Sequence, residues 1–193
     1  MVYGPAMKRR ILHLGSTVVP VAYAVGVPRG VVIASLGAAV VVAAVVERLR
    51  RSSSAVQGAF ERVVGSLLRD HEHEGITAAT WLAVSMCTAV VVLPSPAAVA
   101  ALWCVSAGDP AAAAAGTMWQ RRRGGLVRGE RTVAGFAALF CVSALGVHLV
   151  AGYSVAGAVA VGMVAAAAER LSGRINDNVT IVLGAGVAAL AVS

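Results

Sequence analysis

Charged residues are scarce in this chain, and their scarcity argues against an ordinary soluble domain. Only 13% of the 193 residues are Asp, Glu, Lys or Arg, whereas soluble globular domains average about 25%. Hydrophobic residues make up 59% of the sequence, and the mean hydropathy is +0.82. A soluble domain of this size could not hide so much apolar surface. We therefore expect an integral membrane protein.

The sequence also lacks the short alternating segments that a membrane β-barrel needs, which are about ten residues long. Its apolar runs are continuous and approach the length of about twenty residues at which one helix crosses a bilayer. Lipid leaves only helices and closed barrels as spanning structures. We therefore predict an all-α polytopic membrane helix bundle. No internal repeat or linker divides it, so residues 1–193 form a single domain.

Cysteine and nucleotide-binding motifs are equally sparse. Cys87, Cys104 and Cys141 lie in apolar runs without CxxC or histidine-ligand spacing, and an odd number suits no disulfide framework. We expect them to pack as small hydrophobic residues. There is no P-loop, and the GxGxxA pattern at 184–189 lies in an apolar run with no preceding strand. The His-Glu pairs at 71–74 are adjacent, so they cannot all face one metal ion from a helix.

Seven apolar runs predict about seven transmembrane helices. Their approximate bounds are 11–27, 31–46, 76–93, 96–119, 133–150, 155–169 and 178–192. The longest connection, 47–75, has apolar residues at helical spacing and predicts an amphipathic helix on the membrane surface. The connection 120–132 is a basic loop.

The charges of the connections predict an orientation. Fifteen of the 16 Lys and Arg residues fall on one side of the predicted bundle, and only Arg29 falls on the other. By the positive-inside rule the N-terminus is cytoplasmic and the C-terminus outside. All nine acidic residues are also near the cytoplasmic side, so we expect the site on that face, in the cell membrane if the source is prokaryotic. The same sorting explains the net charge of +7 without a nucleic-acid partner.

One carboxylate, Asp109, lies between Gly108 and Pro110 inside a run of small apolar residues. A charge within a membrane helix costs roughly 2.5–3.5 kcal/mol on insertion scales, so it marks a functional site by default. The same run leads into five arginines, and such a basic, glycine-containing loop suits a phosphate-bearing ligand. These arginines are Arg121, Arg122, Arg123, Arg128 and Arg131.

Further polar residues are predicted at the same ends of the helices, namely Glu47, Glu72, Glu169, Asp177 and Asn178. Carboxylates and an amide beside arginines suit Mg²⁺ with a polyphosphate, because Mg²⁺ takes few protein ligands and shares phosphate oxygens. Structural roles remain open as alternatives. The arginines could be only a topology anchor, Asp177 or Asn178 a helix N-cap, and Glu47 or Glu169 a partner of nearby Arg48, Arg51 or Arg170.

Five ordered motifs resemble the CTP-dependent lipid-alcohol kinase family, which includes dolichol kinase, phytol kinase and a CTP-using diacylglycerol kinase. They are KRRILH at 8–13, ERLRR at 47–51, RDHE at 69–72 followed by Ile76-Thr77, VSAGDPAAA at 105–113, and AE at 168–169 with DNVTI at 177–181. The loop at 129–135 departs from the family pattern. It has Glu130 at the usual lysine position, followed by Arg131, and Ala134 at the usual glutamate position.

The resemblance implies a membrane-embedded kinase that transfers the γ-phosphate of CTP to a polyprenol- or dolichol-type alcohol. Its cofactor would be Mg²⁺, and its partners a membrane lipid and a nucleotide. The implied catalytic residues are Asp109 and Glu72, with Asp109 and Asp177 as magnesium ligands. The implied phosphate-binding residues are Arg121, Arg122, Arg128, Arg131 and Thr132. The implied supporting residues are Glu47, Arg69, Gly108, Pro110, Glu169 and Asn178.

Other functions remain open alternatives. A cytidylyltransferase that forms a CDP-lipid could use the same ligands on a phosphorylated lipid, and the acceptor could be diacylglycerol. A lipid or ion transporter would have acids distributed through the membrane depth, whereas here they are on one side. The chain could also be an inactive relative of the family. The sequence leaves open the choice between CTP and ATP, the identity of the alcohol and the formation of a homo-oligomer.

Overall fold

The computed structural model describes residues 5–68, 72–73, 75–123, 131–173 and 175–193, and every regular element in these ranges is helical. The all-α prediction is therefore confirmed for the part of the chain described. The helices are α1 Pro5–Gly15, α2 Val18–Ala24, α3 Arg29–Ser52, α4 Ser54–Val64, α5 Ala78–Val92, α6 Ser95–Trp103, α7 Asp109–Arg122, α8 Val133–Leu149, α9 Val155–Leu171 and α10 Asp177–Ala191.

Polar side chains at the ends of the apolar runs determine where several helices begin. A side-chain oxygen that accepts a backbone N–H two or three residues further on satisfies a donor that the first helical turn leaves open. Five residues act in this way, namely Ser53 before α4, Thr77 before α5, Thr132 before α8, Ser154 before α9 and Asn176 before α10. The predicted bounds agree with these helices because the apolar runs stop at the same polar residues.

The first predicted run, 11–27, is divided into two helices. The hydroxyl groups of Ser16 and Thr17 donate hydrogen bonds to the carbonyl oxygens of His13 and Leu14, at 2.6 and 2.7 Å. Such local side-chain bonds compete with helical geometry, and α1 ends at Gly15 while α2 begins at Val18. The consequence is a short α1 that carries its own polar face at one end of the bundle.

Helix α6 forms the centre of the molecule. Its residues from Ala97 to Leu102 are all buried, and it packs against α2, α5, α8 and α10. Small residues allow neighbouring helix backbones to approach closely. Trp103 at the end of α6 donates its indole N–H to the carbonyl oxygen of Val142 at 3.0 Å. The indole lies against Gly146 of α8, where a Cβ atom would lie only 1.8 Å from Trp103 Nε1.

A π-helical turn, Cys104–Gly108, joins α6 to α7. Turns of this kind occur mainly as single wide turns within α-helices, frequently at functional sites. Gly108 packs tightly against α8, because a Cβ atom there would be 2.6 Å from Ser143 Oγ. Gly108 therefore has a packing role, and Asp109 follows it as the first residue of α7.

In the described ranges, two helices are long and apolar enough to cross a membrane, judged by length and composition alone. They are Arg29–Ser52, with a mean hydropathy of 2.3, and the continuous helix Ser95–Arg122, with 1.3. In Ser95–Arg122, 67% of the apolar window is buried, which is also typical of the core helix of a soluble protein. In Arg29–Ser52, only 17% of the window is buried. Seven spans and their orientation stay predictions.

Candidate functional site

Helix α1 connects three parts of the molecule at the charged end of the bundle. Arg9 reaches Glu72, Arg10 reaches Thr117 of α7, and His13 reaches Asp109 at the start of α7. Two residues one turn apart on α1, Arg9 and His13, therefore contact the predicted catalytic residues Glu72 and Asp109. Sequence reasoning assigned α1 no site residue, although its basic and histidine-containing opening was part of the motif resemblance.

Asp109 contacts a histidine that is distant in sequence. Its Oδ2 lies 3.3 Å from His13 Nδ1, and both side chains are largely shielded from solvent. A carboxylate that is held by a ring nitrogen in this way keeps a fixed orientation. Asp109 is thus the carboxylate of α7 that faces the polar side of α1; its catalytic role stays a prediction.

Arg10 extends this contact toward the predicted phosphate-binding arginines. Its guanidinium donates to the hydroxyl of Thr117, two turns beyond Asp109 on α7. Burial lowers the pKa of Arg10, nearby Arg121 lowers it further, and Asp109 acts in the opposite direction. Arg10 is therefore within electrostatic reach of both Asp109 and Arg121. Arg121 and Arg122 themselves are exposed at the end of α7, accessible to a ligand from solution.

Glu72 is buried, with 2% of its surface exposed, and is held tightly. Its two carboxylate oxygens accept hydrogen bonds from the guanidinium of Arg9 at 3.0 and 3.2 Å. The Oε1 atom also accepts the backbone N–H of Ala78 at 3.3 Å. A two-pronged arginine–carboxylate pair is strong and directional. This geometry suits a residue that fixes Arg9 and the start of α5, more than one that takes a proton from a substrate.

Glu47 forms a buried ion pair that organises the segment before α5. Arg50 donates to Glu47 Oε2 at 2.8 Å, to the carbonyl oxygen of His73 at 2.8 Å and to that of Glu72 at 3.3 Å. The other oxygen of Glu47 accepts the N–H of Thr77 at 2.9 Å. Of the partners predicted for Glu47, Arg51 lies 3.5 Å from it, but its main partner is Arg50, which was not among those predicted. The pair positions the segment that carries Glu72.

A cavity of about 510 Å³ lies between α1, α3, α4 and α5. This volume is within the range of roughly 300–1,000 Å³ that is usual for small-molecule sites. Most of the lining is alanine, valine, leucine and one phenylalanine. The polar lining residues are Arg9, His13, Glu47, Glu72, Thr77, Thr80 and Asn178. Several of these are joined by the hydrogen bonds described above, so the cavity has apolar walls and a connected polar part.

Asn178, predicted as a supporting residue, lies in the wall of this cavity and is 2% exposed. Its side-chain nitrogen donates to the carbonyl oxygen of Ala78 at 3.1 Å, and its side-chain oxygen has no hydrogen-bond partner in the described part of the chain. The N-cap of α10 is Asn176, whose Oδ1 accepts the N–H of Asn178 at 3.0 Å. The alternative that Asp177 or Asn178 is itself the N-cap is therefore wrong.

Arg131 and Thr132 make contacts that hold helix ends in place. Arg131 donates to the carbonyl oxygen of Arg170 at 2.6 Å and to the hydroxyl of Ser172, and it lies 3.4 Å from Glu169. It thus binds the carboxyl end of α9, where a cation is favourable. Thr132 caps α8 by accepting the N–H of Gly135 at 3.0 Å. A phosphate-binding role for either residue stays a prediction.

Two predicted site residues, Arg69 and Arg128, lie outside the described residues. Within the described ranges, no group of three or more His, Cys, Asp or Glu side chains could hold a metal ion. Mg²⁺ is often held by only one or two carboxylates together with substrate phosphate oxygens. A single carboxylate such as Asp109, near arginines that could hold a phosphate, is compatible with that manner of binding.

No family model, no curated protein and no solved structure matches this chain. A function is therefore inferred from the motifs and from the geometry of the chain's own residues.

Proposed function

We propose that the chain is a membrane-embedded kinase that transfers the γ-phosphate of CTP to the hydroxyl of a polyprenol- or dolichol-type lipid alcohol. One observation carries the proposal. Arg9 and His13 line the apolar cavity, and His13 also contacts Asp109. A hydroxyl group in the polar part of the cavity would thus lie beside a phosphate held near Asp109.

The phosphates of the nucleotide would bind at the end of α7. Arg121 and Arg122 are exposed there. The charges of Arg121 and Asp109 both act on the guanidinium of Arg10. Arginines that hold the transferred group stabilise the charge of the transition state. Arg128 would add to this set, while Arg131 would hold α9 in place and reach a phosphate only through a change of partners.

Mg²⁺ would be held by Asp109 and phosphate oxygens, with Asp177 as the second proposed ligand. When bound, Mg²⁺ supplies positive charge that offsets the phosphate oxygens during transfer. The chain's own residues orient the reactants, since His13 fixes the Asp109 carboxylate and Glu72 fixes Arg9 at the cavity. Glu72 is better suited to this positioning role than to deprotonating the alcohol.

The finer membrane topology is part of the proposal. Seven spans with a cytoplasmic N-terminus would put the charged end of the bundle, with its arginines, where nucleotide is present. The exposed apolar face of α3, which includes Val41, Val42 and Val45, would contact lipid tails. An alcohol could then enter the cavity sideways from the membrane while the nucleotide arrives from solution.

Phosphoryl transfer by the purified protein tests the proposal. The protein, in lipid nanodiscs with Mg²⁺ and CTP or ATP, is offered a panel of prenols and diacylglycerol. We expect a lipid phosphate and CDP, with a prenol as the best acceptor. Release of pyrophosphate with a CDP-lipid would favour the cytidylyltransferase alternative. No product with any acceptor, from protein shown to be folded, would favour a transporter or an inactive relative.

A further inference from the structure

The amide of Asn178 has an orientation that its surroundings determine. The carbonyl oxygen of Ala78, 3.1 Å away, can only accept a hydrogen bond, so the nitrogen of the Asn178 amide must face it. The oxygen Oδ1 is thereby directed elsewhere. It is buried and has no hydrogen-bond partner among the residues that the structure describes. The site therefore offers a hydrogen-bond acceptor whose donor is missing.

A buried acceptor without a donor is unfavourable in free energy, and native structures seldom keep one without a reason. Asn178 is also a lining residue of the cavity. Oδ1 has almost no accessible surface; after a small shift of the side chains around it, a hydrogen-bond donor of a ligand in the cavity would satisfy Oδ1 and recover that free energy. The observation thus specifies one feature of the ligand, a donor at the position that the amide oxygen reaches.

We propose that the cavity binds an alcohol with a hydrocarbon chain, and that Asn178 Oδ1 accepts the hydrogen bond of its hydroxyl. Asn178 is then a residue that binds and positions the acceptor substrate, instead of a magnesium ligand. This inference deepens the proposed function, because the alcohol is the acceptor in that reaction. It can nevertheless be tested by binding in the absence of nucleotide.

The charges of the cavity wall favour a neutral head group. One arginine, Arg9, and two carboxylates, Glu47 and Glu72, line the cavity. Arg9 is engaged by Glu72, and Glu47 is engaged by Arg50 and by the N–H of Thr77. A lipid phosphate or carboxylate would add a negative charge that these paired groups do not compensate, and burying an uncompensated charge is strongly unfavourable. A hydroxyl adds none.

The apolar part of the cavity provides a path for the hydrocarbon chain. Leu12 of α1 and Val42 of α3 both line the cavity, and they are 65% and 62% exposed. The cavity therefore opens between α1 and α3 onto an apolar outer surface. A chain that begins at Asn178 can leave through this opening, so the length of the chain is not limited by the cavity volume of about 510 Å³.

Competition binding tests this proposal. Purified protein in detergent, without nucleotide, is loaded with tritiated farnesol, which is displaced by unlabelled farnesol, by its methyl ether or by farnesoic acid. The ether keeps the chain but cannot donate a hydrogen bond. We expect farnesol to bind about 3- to 10-fold more tightly than the ether, as one hydrogen bond predicts, and the acid to bind more weakly than farnesol. Equal affinities of alcohol and ether would overturn the proposal.

Variants locate the interaction. In Asn178→Leu, of similar size, the alcohol should lose its advantage over the ether, while the affinity for the ether is retained. Asn176→Ser, in the same segment but outside the cavity lining, should keep the wild-type ratio. Ala83→Leu narrows the cavity and should weaken both ligands equally, which tests the location even if Asn178→Leu does not fold. An unchanged ratio in Asn178→Leu, or unchanged affinities in Ala83→Leu, would contradict the proposal.

The two proposals can fail separately. In one outcome, Asn178→Leu no longer prefers the alcohol to the ether, but the wild-type protein transfers no phosphate. That outcome would support the binding site and contradict the kinase. Transfer to prenols with equal binding of alcohol and ether would support the kinase and contradict the role of Asn178.

Discussion

The proposed activity depends most on one contact between two residues, Asp109 and His13. Asp109 belongs to α7, which ends in the exposed arginines, and His13 belongs to the wall of the cavity. Their separation of 3.3 Å therefore joins the two halves of the proposed site. A substitution that removes only the charge of Asp109 should affect the transfer reaction without disturbing the cavity.

Asp109→Asn is expected to lower the rate of phosphoryl transfer by about 100-fold or more, because a charged group that acts on the transferring phosphate contributes roughly that much. Binding of farnesol without nucleotide should stay unchanged. Steady-state transfer of labelled phosphate from CTP provides the measurement. Glu61→Gln, which changes an exposed carboxylate of α4, is the control and should retain the wild-type rate. A fall of threefold or less in Asp109→Asn would remove Asp109 from its central role.

Arg50 should contribute strongly to the free energy of unfolding of the protein. Arg50→Met leaves Glu47 buried without its main partner, and breaking a buried pair costs about 3–5 kcal/mol. We expect a fall of about 5–15 °C in the midpoint of thermal unfolding, measured by circular dichroism in detergent. Arg51→Met is the matched control, since Arg51 is exposed and lies 3.5 Å from the same carboxylate, and its effect should be small. Similar shifts for both variants would contradict this assignment.

The sequence could identify Asp109 but not its partner. A lone carboxylate in an apolar run is conspicuous without any structure. That His13 faces it depends on how α1 packs on α7, and the alanine-rich surface of α7 does not specify one register. Arg131 illustrates the same limit, because nothing in the sequence indicates that it contacts the carboxyl end of α9. A sequence does not reveal which helix end lies next to a given loop.

At the scale of the helices, prediction succeeded where an apolar run ends at polar residues. The runs 76–93 and 133–150 correspond to helices Ala78–Val92 and Val133–Leu149. The break at Ser16 and Thr17 and the π-helical turn before Asp109 could not be predicted in this way. Both depend on local hydrogen bonds and on packing against other helices, which apolar periodicity does not report.

Gly146 should be irreplaceable at the crossing of α6 and α8. In Gly146→Ala the new Cβ atom would lie within 1.8 Å of Trp103 Nε1, so the indole must move, and overpacking of this kind costs about 1–3 kcal/mol. Thermal unfolding should show a lower midpoint. Gly58→Ala on α4 is the control, because no heavy atom lies within 4 Å of its new Cβ atom, and alanine favours the helix. Trp103→Phe should restore part of the loss in Gly146→Ala.

The whole molecule has one end rich in charged residues and one end with few. The pair Glu47–Arg50, the contact between Asp109 and His13, and the contact of Arg131 with α9 all lie at the first end. At the other end, Arg29 donates to the carbonyl oxygens of Val90 and Val91, where α5 finishes. This asymmetry was predictable from the sequence, because it follows from which connections carry the arginines. The number of spans and the side of the membrane require an experiment.

Labelling of single cysteines tests the orientation. With Cys87, Cys104 and Cys141 replaced by alanine, Ser54→Cys at the charged end and Ser95→Cys at the other end are treated with a membrane-impermeant maleimide. Both positions are exposed. We expect Ser95→Cys to react in intact cells and Ser54→Cys to react only after permeabilisation, because the positive-inside rule places the charged end in the cytoplasm. The reverse pattern would contradict the proposed topology.

The fate of CTP labelled in two places tests the central claim most directly. Purified protein in nanodiscs with Mg²⁺ and a prenol receives CTP with one label in the γ-phosphate and another in the cytosine ring, and the lipid product is extracted and counted. The proposal predicts that the phosphate label enters the lipid and that the cytosine label remains in CDP. Cytosine label in the lipid, or no label in the lipid from folded protein, would contradict it.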